Sequence, residues 1–181
     1  MKKYIALLRG VNVGGKNTVS MPLLKSAFEK AGFLNVSTYI NIGNVLFSTN
    51  KTDIEALQRQ CANIILKTFK LDIPVSVISA ADLADALNHA PEWWDNDENS
   101  KHNAIFVISP ATSEAVIKET GETKPEFEQV DYYGQVVFWS APVKKFSKTR
   151  WSKFVSSKSY VNITIRNANT AKKLARLSEQ Q

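Results

Sequence analysis

Apolar positions along the chain follow two alternating periods, and together these periods predict strands and helices in turn. Residues 4–8 form a short apolar run, and a buried strand is predicted over residues 3–9. A polar, glycine-rich stretch follows. Apolar residues then recur at helical spacing between Ser20, a suitable N-cap, and Gly32, a residue that commonly ends helices. The chain therefore begins with a strand, a polar loop and an amphipathic helix.

The rest of the first half continues this alternation. Two strands are predicted at Val36–Asn41 and Asn44–Thr49, joined by a tight turn. A helix begins at Thr52–Glu55, which has the capping-box pattern. A strand at Pro74–Ile78 leads into a helix at Ser79–Asn88. The predicted order is therefore β-α-β-β-α-β, followed by one more helix.

The second half repeats the order of the first. Its predicted elements are a strand Asn103–Ser109, a helix Thr112–Thr120, strands Glu126–Tyr132 and Gln135–Ser140, a helix Ser147–Val155, a strand Tyr160–Ile165 and a helix Asn167–Leu177.

The repeated order predicts an internal duplication. A short similarity in residue type, between Gly43–Ser48 and Gly134–Trp139, supports it. We predict an α+β fold made by tandem duplication of two ferredoxin-like (βαββαβ) halves, each followed by an extra helix. The halves would be residues 1–90 and 102–181, joined by an acidic, tryptophan-containing linker at residues 91–101.

Charge is distributed unevenly along the 181 residues, whose net charge is +6. The segment from Tyr132 to Ser178 contains no Asp or Glu and holds ten of the 23 basic residues. The remainder has 13 basic and 17 acidic residues, a net charge of −4. Such asymmetry bears on the partners of the second half and not on the fold.

Several classes of protein are disfavoured by the composition. The single cysteine, Cys61, cannot form an internal disulfide and lies on the apolar face of a predicted helix. No signal peptide precedes the first strand, and no apolar run approaches the roughly 20 residues that a membrane span needs. A cytoplasmic location and no membrane partner are therefore expected.

The residues of familiar catalytic sites are sparse. The two histidines, His89 and His102, lie near the expected linker without a cysteine or serine motif around them. No metal-ligand cluster and no cofactor fingerprint are present, so neither a metal nor a cofactor is predicted. Whether the protein is an enzyme stays open.

The loop after the first strand carries the strongest site signal. Gly10 to Lys16 match the first seven positions of the phosphate-binding pattern G-x-x-x-x-G-K. However, Asn17 replaces the Ser or Thr that holds magnesium, and the next helix begins only near Ser20, which argues against a nucleotide hydrolase. Two interpretations remain: an anion-accepting loop charged by Arg9 and Lys16, or a purely structural turn with asparagine amides capping backbone groups.

Two further polar segments lie at strand ends. Asn41–Asn44 forms a turn in which Gly43 suits a hairpin, so a structural role is the alternative to ligand binding. Ile165–Thr170 crosses the last strand-to-helix junction, where Asn167 can cap the helix beside Arg166. Capping alone is again the alternative.

Aromatic residues alternate with lysines between residues 144 and 160. Phosphate-binding lysines with stacking rings are typical of single-stranded nucleic-acid binding. The alternative is that the rings of Phe146, Trp151, Phe154 and Tyr160 belong to the core and the lysines form a solvated face. Exposed Trp93 and Trp94 would instead suit a protein-interaction module.

Four motifs together resemble the bacterial domain-of-unknown-function 1697 family. They are Leu7–Asn17, Tyr39–Val45, Pro91–Trp94 and Thr164–Thr170, and the resemblance covers essentially the whole chain. The family pattern usually has serine where Ile42 stands. The resemblance implies a cytosolic α/β protein of tandem ferredoxin-like halves and supplies no mechanism.

The three polar segments are expected to converge on one cleft that binds a small anionic or nucleotide-like ligand. Nucleic acid and a protein partner are the alternative partners. The predicted ligand-binding residues are Arg9, Asn12, Gly14, Gly15, Lys16, Asn17, Asn41, Asn44, Arg166, Asn167, Asn169 and Thr170.

Overall fold

The computed structural model describes residues 1–154 and 158–180 and shows a mixed α/β protein. Its described residues form two four-stranded antiparallel sheets with helices. The chain divides into two compact units, residues 1–83 with 173–181 and residues 84–172. The expected linker at residues 91–101 therefore lies within the second unit.

The first unit contains a four-stranded sheet. Its elements are β1 (Lys2–Leu8), α1 (Met21–Lys30), β2 (Leu34–Tyr39), β3 (Asn44–Thr49), α2 (Ile54–Phe69), β4 (Val75–Ser79) and α3 (Ala80–Asn88), of which α3 continues into the second unit. The strand order in the sheet is β2-β3-β1-β4.

The core of the first unit lies between the sheet and the helices α1 and α2. Alternate residues of β1, including Tyr4, pack with Phe28 of α1, Phe47 of β3 and Cys61 of α2. The opposite face of β1 is buried too, since Ile5 is 0% exposed. A strand buried on both faces appears in the sequence as a continuous apolar run, as residues 4–8 do.

The second unit contains another four-stranded sheet. Its elements are β5 (Ser100–Val107), α4 (Ser113–Thr120), β6 (Gln129–Tyr133), β7 (Val136–Pro142), a 3-10 helix Val143–Lys148, α5 (Arg150–Phe154), a second 3-10 helix Lys158–Asn162, β8 (Ile163–Asn167) and α6 (Ala168–Gln180), of which α6 continues into the first unit. The strand order is β6-β7-β5-β8, which corresponds strand for strand to that of the first sheet.

Element boundaries in the basic segment differ from those predicted. The helix predicted at Ser147–Val155 is interrupted at Thr149, whose backbone is extended and whose hydroxyl accepts from the Ser152 N–H at 3.0 Å. Thr149 therefore caps a new helix, because an N-cap residue has non-helical dihedral angles. Val155 lies outside the described residues.

The last junction also differs by a few residues from the prediction. Asn167 ends β8, and its side-chain oxygen accepts from the Thr170 N–H at 2.8 Å. Strand β8 begins at Ile163 rather than Tyr160, because residues up to Asn162 form a 3-10 helix. The predicted capping role of Asn167 agrees with this geometry.

Candidate functional site

The loop after β1 is held in place by the side chain of Asn12. Its Nδ2 donates to the carbonyl of Val19 at 2.9 Å and to the carbonyl of Asn41 at 2.6 Å. Its Oδ1 accepts from the Val19 N–H at 2.8 Å. Both amide protons and the oxygen are thus used within the protein. Asn12 is therefore a scaffold residue, which orients the loop rather than a ligand.

The base of the loop is closed by Asn17. Its Nδ2 donates to the Gly10 carbonyl at 3.0 Å, and its own carbonyl accepts from the Asn12 N–H at 3.2 Å. Asn12 and Asn17 have φ of +54° and +49°, in the left-handed region that asparagine tolerates better than most residues. The two asparagines thus fix a tight return of the chain.

The tip of the loop is a small hairpin between Val13 and Lys16. The Lys16 N–H donates to the Val13 carbonyl at 3.1 Å, and the two intervening residues, Gly14 and Gly15, have φ of +59° and +73°. Two successive positive φ angles are what a type I′ turn requires, which explains the glycine pair. Residues 13–16 are exposed.

The loop contacts the turn between β2 and β3. The Leu8 N–H donates to the Gly43 carbonyl at 2.8 Å, while a Cβ added at Gly43 would lie 2.6 Å from both Leu8 Cβ and Val11 Cγ2. Asn44 is fully buried and donates from Nδ2 to the Tyr39 carbonyl at 3.0 Å. The structure thus brings two of the three predicted segments together.

Positive charge in the loop after β1 comes from two residues that differ in solvent accessibility. Arg9 is half-buried, and its backbone N–H donates to the Pro74 carbonyl at 3.2 Å. Lys16 is exposed and has no ion pair within the described residues. Lys16 is therefore the cation of this loop that is readily available to a solvent-borne anion.

The third predicted segment, Arg166–Thr170, belongs to the second unit. Arg166 is only 5% exposed, and its Nη1 donates to Thr164 Oγ1 at 3.0 Å and to the Ile165 carbonyl at 2.8 Å. Burial lowers the pKa of the Arg166 guanidinium to about 10. In its own unit Arg166 thus braces the end of β8.

The surroundings of the exposed Asn169 are acidic. Asn167 and Asn169 line a cavity of about 770 Å³ together with Asp95, Asp97 and Glu98. A hydrogen bond from the Ser100 side chain, with another from the Asn99 N–H, lowers the pKa of the Asp97 carboxyl. Lys101 also lines the cavity, and Lys172 forms an ion pair with Asp95. Acidic side chains still outnumber basic ones there, so the electrostatics disfavour an anionic ligand.

His102 organises the acidic turn beside this cavity. Its Nδ1 accepts from the Asp95 N–H at 3.0 Å and lies 2.6 Å from Ser140 Oγ. Since a backbone N–H only donates, the ring proton is on Nε2, which donates to the Asp97 carbonyl at 2.7 Å. His102 and Ser140 lie opposite each other in the register of β5 and β7. Because no local motif joins these two residues, their contact could not be predicted from the sequence.

The aromatic residues of the basic segment are mainly core residues. Trp151 and Phe154 are 1% and 4% exposed, and Trp139 packs against Trp151 and the half-buried Phe146. Stacking with nucleic-acid bases needs exposed ring faces, which Trp151 and Phe154 do not offer. Among the described residues of this segment, Lys144, Lys145, Lys148 and Lys153 are exposed.

The expectation of two exposed tryptophans is wrong for Trp94. Its side chain is 7% exposed, its indole N–H donates to the Asn103 carbonyl at 2.9 Å, and its ring lies edge-on to Phe138 at 5.0 Å. Trp93 is half-buried. A buried, hydrogen-bonded indole stabilises the second unit and is not available as a binding anchor.

The described residues offer neither a cluster of metal ligands nor a membrane-spanning helix. Residues 1–154 and 158–180 contain no group of three or more His, Cys, Asp or Glu side chains suited to a metal ion. Across the same residues, no helix has the length and apolar character needed to cross a membrane.

The fold and the loop geometry define a mixed α/β protein with two four-stranded antiparallel sheets and a braced, glycine-rich loop after the first strand. The chain belongs to the family described as "Protein of unknown function (DUF1697)", whose family model matches residues 1–138. The search of curated proteins found no match.

The solved structures include a relative of similar length. The conserved bacterial protein SP0830 from Streptococcus pneumoniae is 28% identical, with a TM-score of 0.84, covering 97% of this chain and 98% of that protein. The first two RRM domains of the yeast poly(U)-binding protein Pub1 also match, at 12% identity and a TM-score of 0.25, over 91% of this chain and 98% of that one. The second TM-score is too low to support an argument.

Proposed function

We propose that the loop of residues 9–17, braced against the turn of residues 41–44, binds a small anionic or nucleotide-like ligand. Exposed Lys16 supplies the charge that attracts the anion, and half-buried Arg9 adds to the positive potential. Gly14 and Gly15 allow a ligand to approach the backbone closely, because they carry no side chain. Asn12, Asn17 and Asn44 hold the loop and the turn in place.

The observation that carries this proposal is the concentration of unusual backbone conformations in the loop. Five residues between positions 10 and 17 have positive φ, and two of them are asparagines. The glycines adopt such conformations readily, but in the two asparagines they cost free energy, and strained residues tend to occur at ligand sites, where the surrounding structure maintains them. Here they keep an exposed lysine on a short, fixed hairpin.

The segment Arg166–Thr170 is left out of this proposed site. The Arg166 guanidinium is buried and bonded to its own strand, and Asn169 lines a cavity with three acidic residues. An anion from solvent does not reach the buried guanidinium, and in the cavity beside Asn169 it meets more acidic than basic side chains. The roles proposed for Arg166 and Asn167 are therefore bracing of β8 and capping of α6.

A thermal-shift screen tests the proposal with inorganic phosphate, nucleotides, sugar phosphates and short RNA. A ligand that binds only the folded state raises the Tm, and the rise grows with the ratio of ligand concentration to Kd. The shift should shrink in Lys16→Gln and persist in Lys2→Gln, which removes an exposed charge from the opposite end of β1. Absence of any anion-dependent shift, or an equal shift in Lys16→Gln, contradicts the proposal.

We also propose that the two units are ferredoxin-like halves of a duplicated ancestor. Support comes from the matching strand orders β2-β3-β1-β4 and β6-β7-β5-β8. A comparison of sequence profiles built separately for residues 1–83 and 84–172 should align β1 with β5 and β3 with β7. Unrelated profiles contradict a duplication.

Binding of single-stranded nucleic acid by the basic second half is the alternative function. It is supported by exposed lysines, such as Lys144, Lys145 and Lys148, and loses support from the burial of Trp151 and Phe154. Binding through lysines alone should weaken steeply as salt rises, since it depends on counterion release. Fluorescence anisotropy with labelled RNA and DNA in a salt series separates this function from anion binding at the loop.

A further inference from the structure

Strand β6 forms an edge of the second sheet with one side open. Among the described residues it pairs with β7 alone, and residues 131–133 are exposed. The Tyr132 N–H donates to the side-chain oxygen of the adjacent Asp131 at 2.8 Å rather than to another strand. This N–H therefore points away from β7, and the carboxylate of Asp131 occupies the position that a further strand would use.

A groove runs beside this edge. It has a volume of about 820 Å³ and is bordered by β6 and the C-terminal part of α4. Ile117, Val130 and Tyr132 provide its apolar surface, and Gly121 ends the helix. Val130 and Tyr132 are two residues apart, so they lie on the same face of the strand. A groove between an edge strand and a helix suits an extended peptide.

The strand is held firmly on both faces. On one face the Tyr132 hydroxyl donates to Glu114 Oε1 of α4 at 2.7 Å. On the other face Tyr133 stacks on His89, with ring centroids 4.2 Å apart and planes 3° from parallel. Asp85 of α3 also accepts a hydrogen bond from the Tyr133 hydroxyl. Because both faces are anchored, the open edge is a preformed template, which limits the entropy lost on binding.

The charges around the groove determine the kind of peptide. Glu122 and Asp131 line it with Lys118, and Glu114 lies at the Tyr132 hydroxyl. Arg150 adjoins Gly121 at one end of the groove, where its Nε donates to the Thr120 carbonyl at 2.9 Å. Acidic side chains still outnumber basic ones, by three to two, which favours a peptide with basic side chains. Antiparallel pairing of two copies of β6 about its central residue would place two Asp131 carboxylates together, and like charges opposite each other are destabilising.

We propose that an extended, basic peptide segment of a partner protein adds to the β6 edge as a fifth strand, with its apolar side chains in the groove between β6 and α4. The peptide displaces the Asp131 carboxylate from the Tyr132 N–H and gains a main-chain hydrogen bond there. Its lysine or arginine side chains lie near Asp131 and Glu122. The inference is independent of anion binding at the loop of residues 9–17.

Fluorescence anisotropy tests the proposal with a labelled, capped heptapeptide in which valine alternates with lysine. Tyr132→Pro removes the outward N–H without removing a bond to β7 and should weaken binding by about fivefold or more. Tyr132→Ala is the matched control: it removes the same ring and hydroxyl but keeps the N–H, so it should weaken binding less than Tyr132→Pro does. A counterpart peptide with glutamate for lysine should bind far more weakly.

A second measurement keeps the test decisive if Tyr132→Pro misfolds. The same peptide with alternate backbone nitrogens methylated keeps its charge and side chains but cannot pair on that edge, so its binding to the wild-type protein should be lost. Equal binding of the methylated peptide, of the acidic peptide or by folded Tyr132→Pro overturns the proposal. Concentration-dependent self-association of the wild type that Tyr132→Pro abolishes would replace the peptide by a second copy of the chain.

Discussion

The Asn12 side chain donates its Nδ2 proton to the backbone carbonyl of Asn41, with 2.6 Å between nitrogen and oxygen. The bond joins the loop after β1 to the turn between β2 and β3, 29 residues further along the chain. Because the same amide also bonds both backbone groups of Val19, one side chain ties the loop to Val19 and to the turn. The rigidity of the candidate site thus depends on Asn12.

Replacement of Asn12 by aspartate should destabilise the protein by about 2–4 kcal/mol. The substitution keeps the acceptor for the Val19 N–H but places a carboxylate oxygen against the carbonyls of Val19 and Asn41, which both need a donor. Urea unfolding measures the change. Asn41→Asp is the matched control, since Asn41 takes part through its backbone carbonyl and its side chain is exposed. Similar destabilisation by both variants contradicts the proposed clamp.

Gly43 should be far less replaceable than Gly14, although both have positive φ. An alanine Cβ at Gly43 would lie 2.6 Å from Leu8 Cβ and Val11 Cγ2, whereas nothing lies within 4 Å at Gly14. Gly14→Ala should therefore cost about 1 kcal/mol, from the left-handed backbone alone. Gly43→Ala should cost about 3 kcal/mol or more, because buried β1 must also move. Chemical denaturation of the two variants tests this difference, and equal costs contradict it.

The order of the elements could be predicted because the hydrophobic period changes sharply along the chain. Residues 4–8 are apolar on both faces of β1, and the helical spacing from Met21 to Lys30 is unambiguous. Boundaries in the basic segment could not be predicted equally well. There Thr149 ends one helix and caps the next through local hydrogen bonds, which compete with helical periodicity.

Side-chain roles at the candidate site were less predictable than the elements. Glycine and asparagine at residues 10–17 indicate a turn, but the contact of Asn12 with Asn41 depends on how β1 and β3 pair. The burial of Arg166 was also beyond what the sequence pattern predicts. Thr164 and Arg166 are two residues apart on β8 and both are buried, so strand alternation predicts a shared face but not that the face is covered.

The Cys61 thiol should not react under native conditions. It is 0% exposed in the core of the first unit, and burial raises the pKa of the Cys61 thiol well above its usual range. Because the thiolate is the nucleophile, Ellman's reagent should leave the folded protein unmodified through mildly alkaline pH and react fully in urea. Rapid reaction of the folded protein at pH 8 would show an accessible thiolate and contradict this burial.

Glu128 should be the carboxylate on which the start of α5 depends most. It is 3% exposed, and its oxygens accept from the N–H groups of Arg150 at 2.8 Å, Trp151 at 3.2 Å and Lys124 at 3.2 Å. Glu128→Gln replaces one acceptor oxygen by an NH₂ group that faces a backbone donor, so it should destabilise the protein by about 1–3 kcal/mol.

Exposed Glu126, two residues earlier, provides the matched control, because Glu126→Gln removes the same charge from a solvated position. Its effect on the free energy of unfolding should stay within about 0.5 kcal/mol. Fluorescence-monitored unfolding in urea compares the two variants, and the buried Trp151 adjoins the affected helix start. If Glu128→Gln were as stable as Glu126→Gln, the first N–H groups of α5 would not need the carboxylate as a hydrogen-bond acceptor. The capping role of Glu128 would then be wrong.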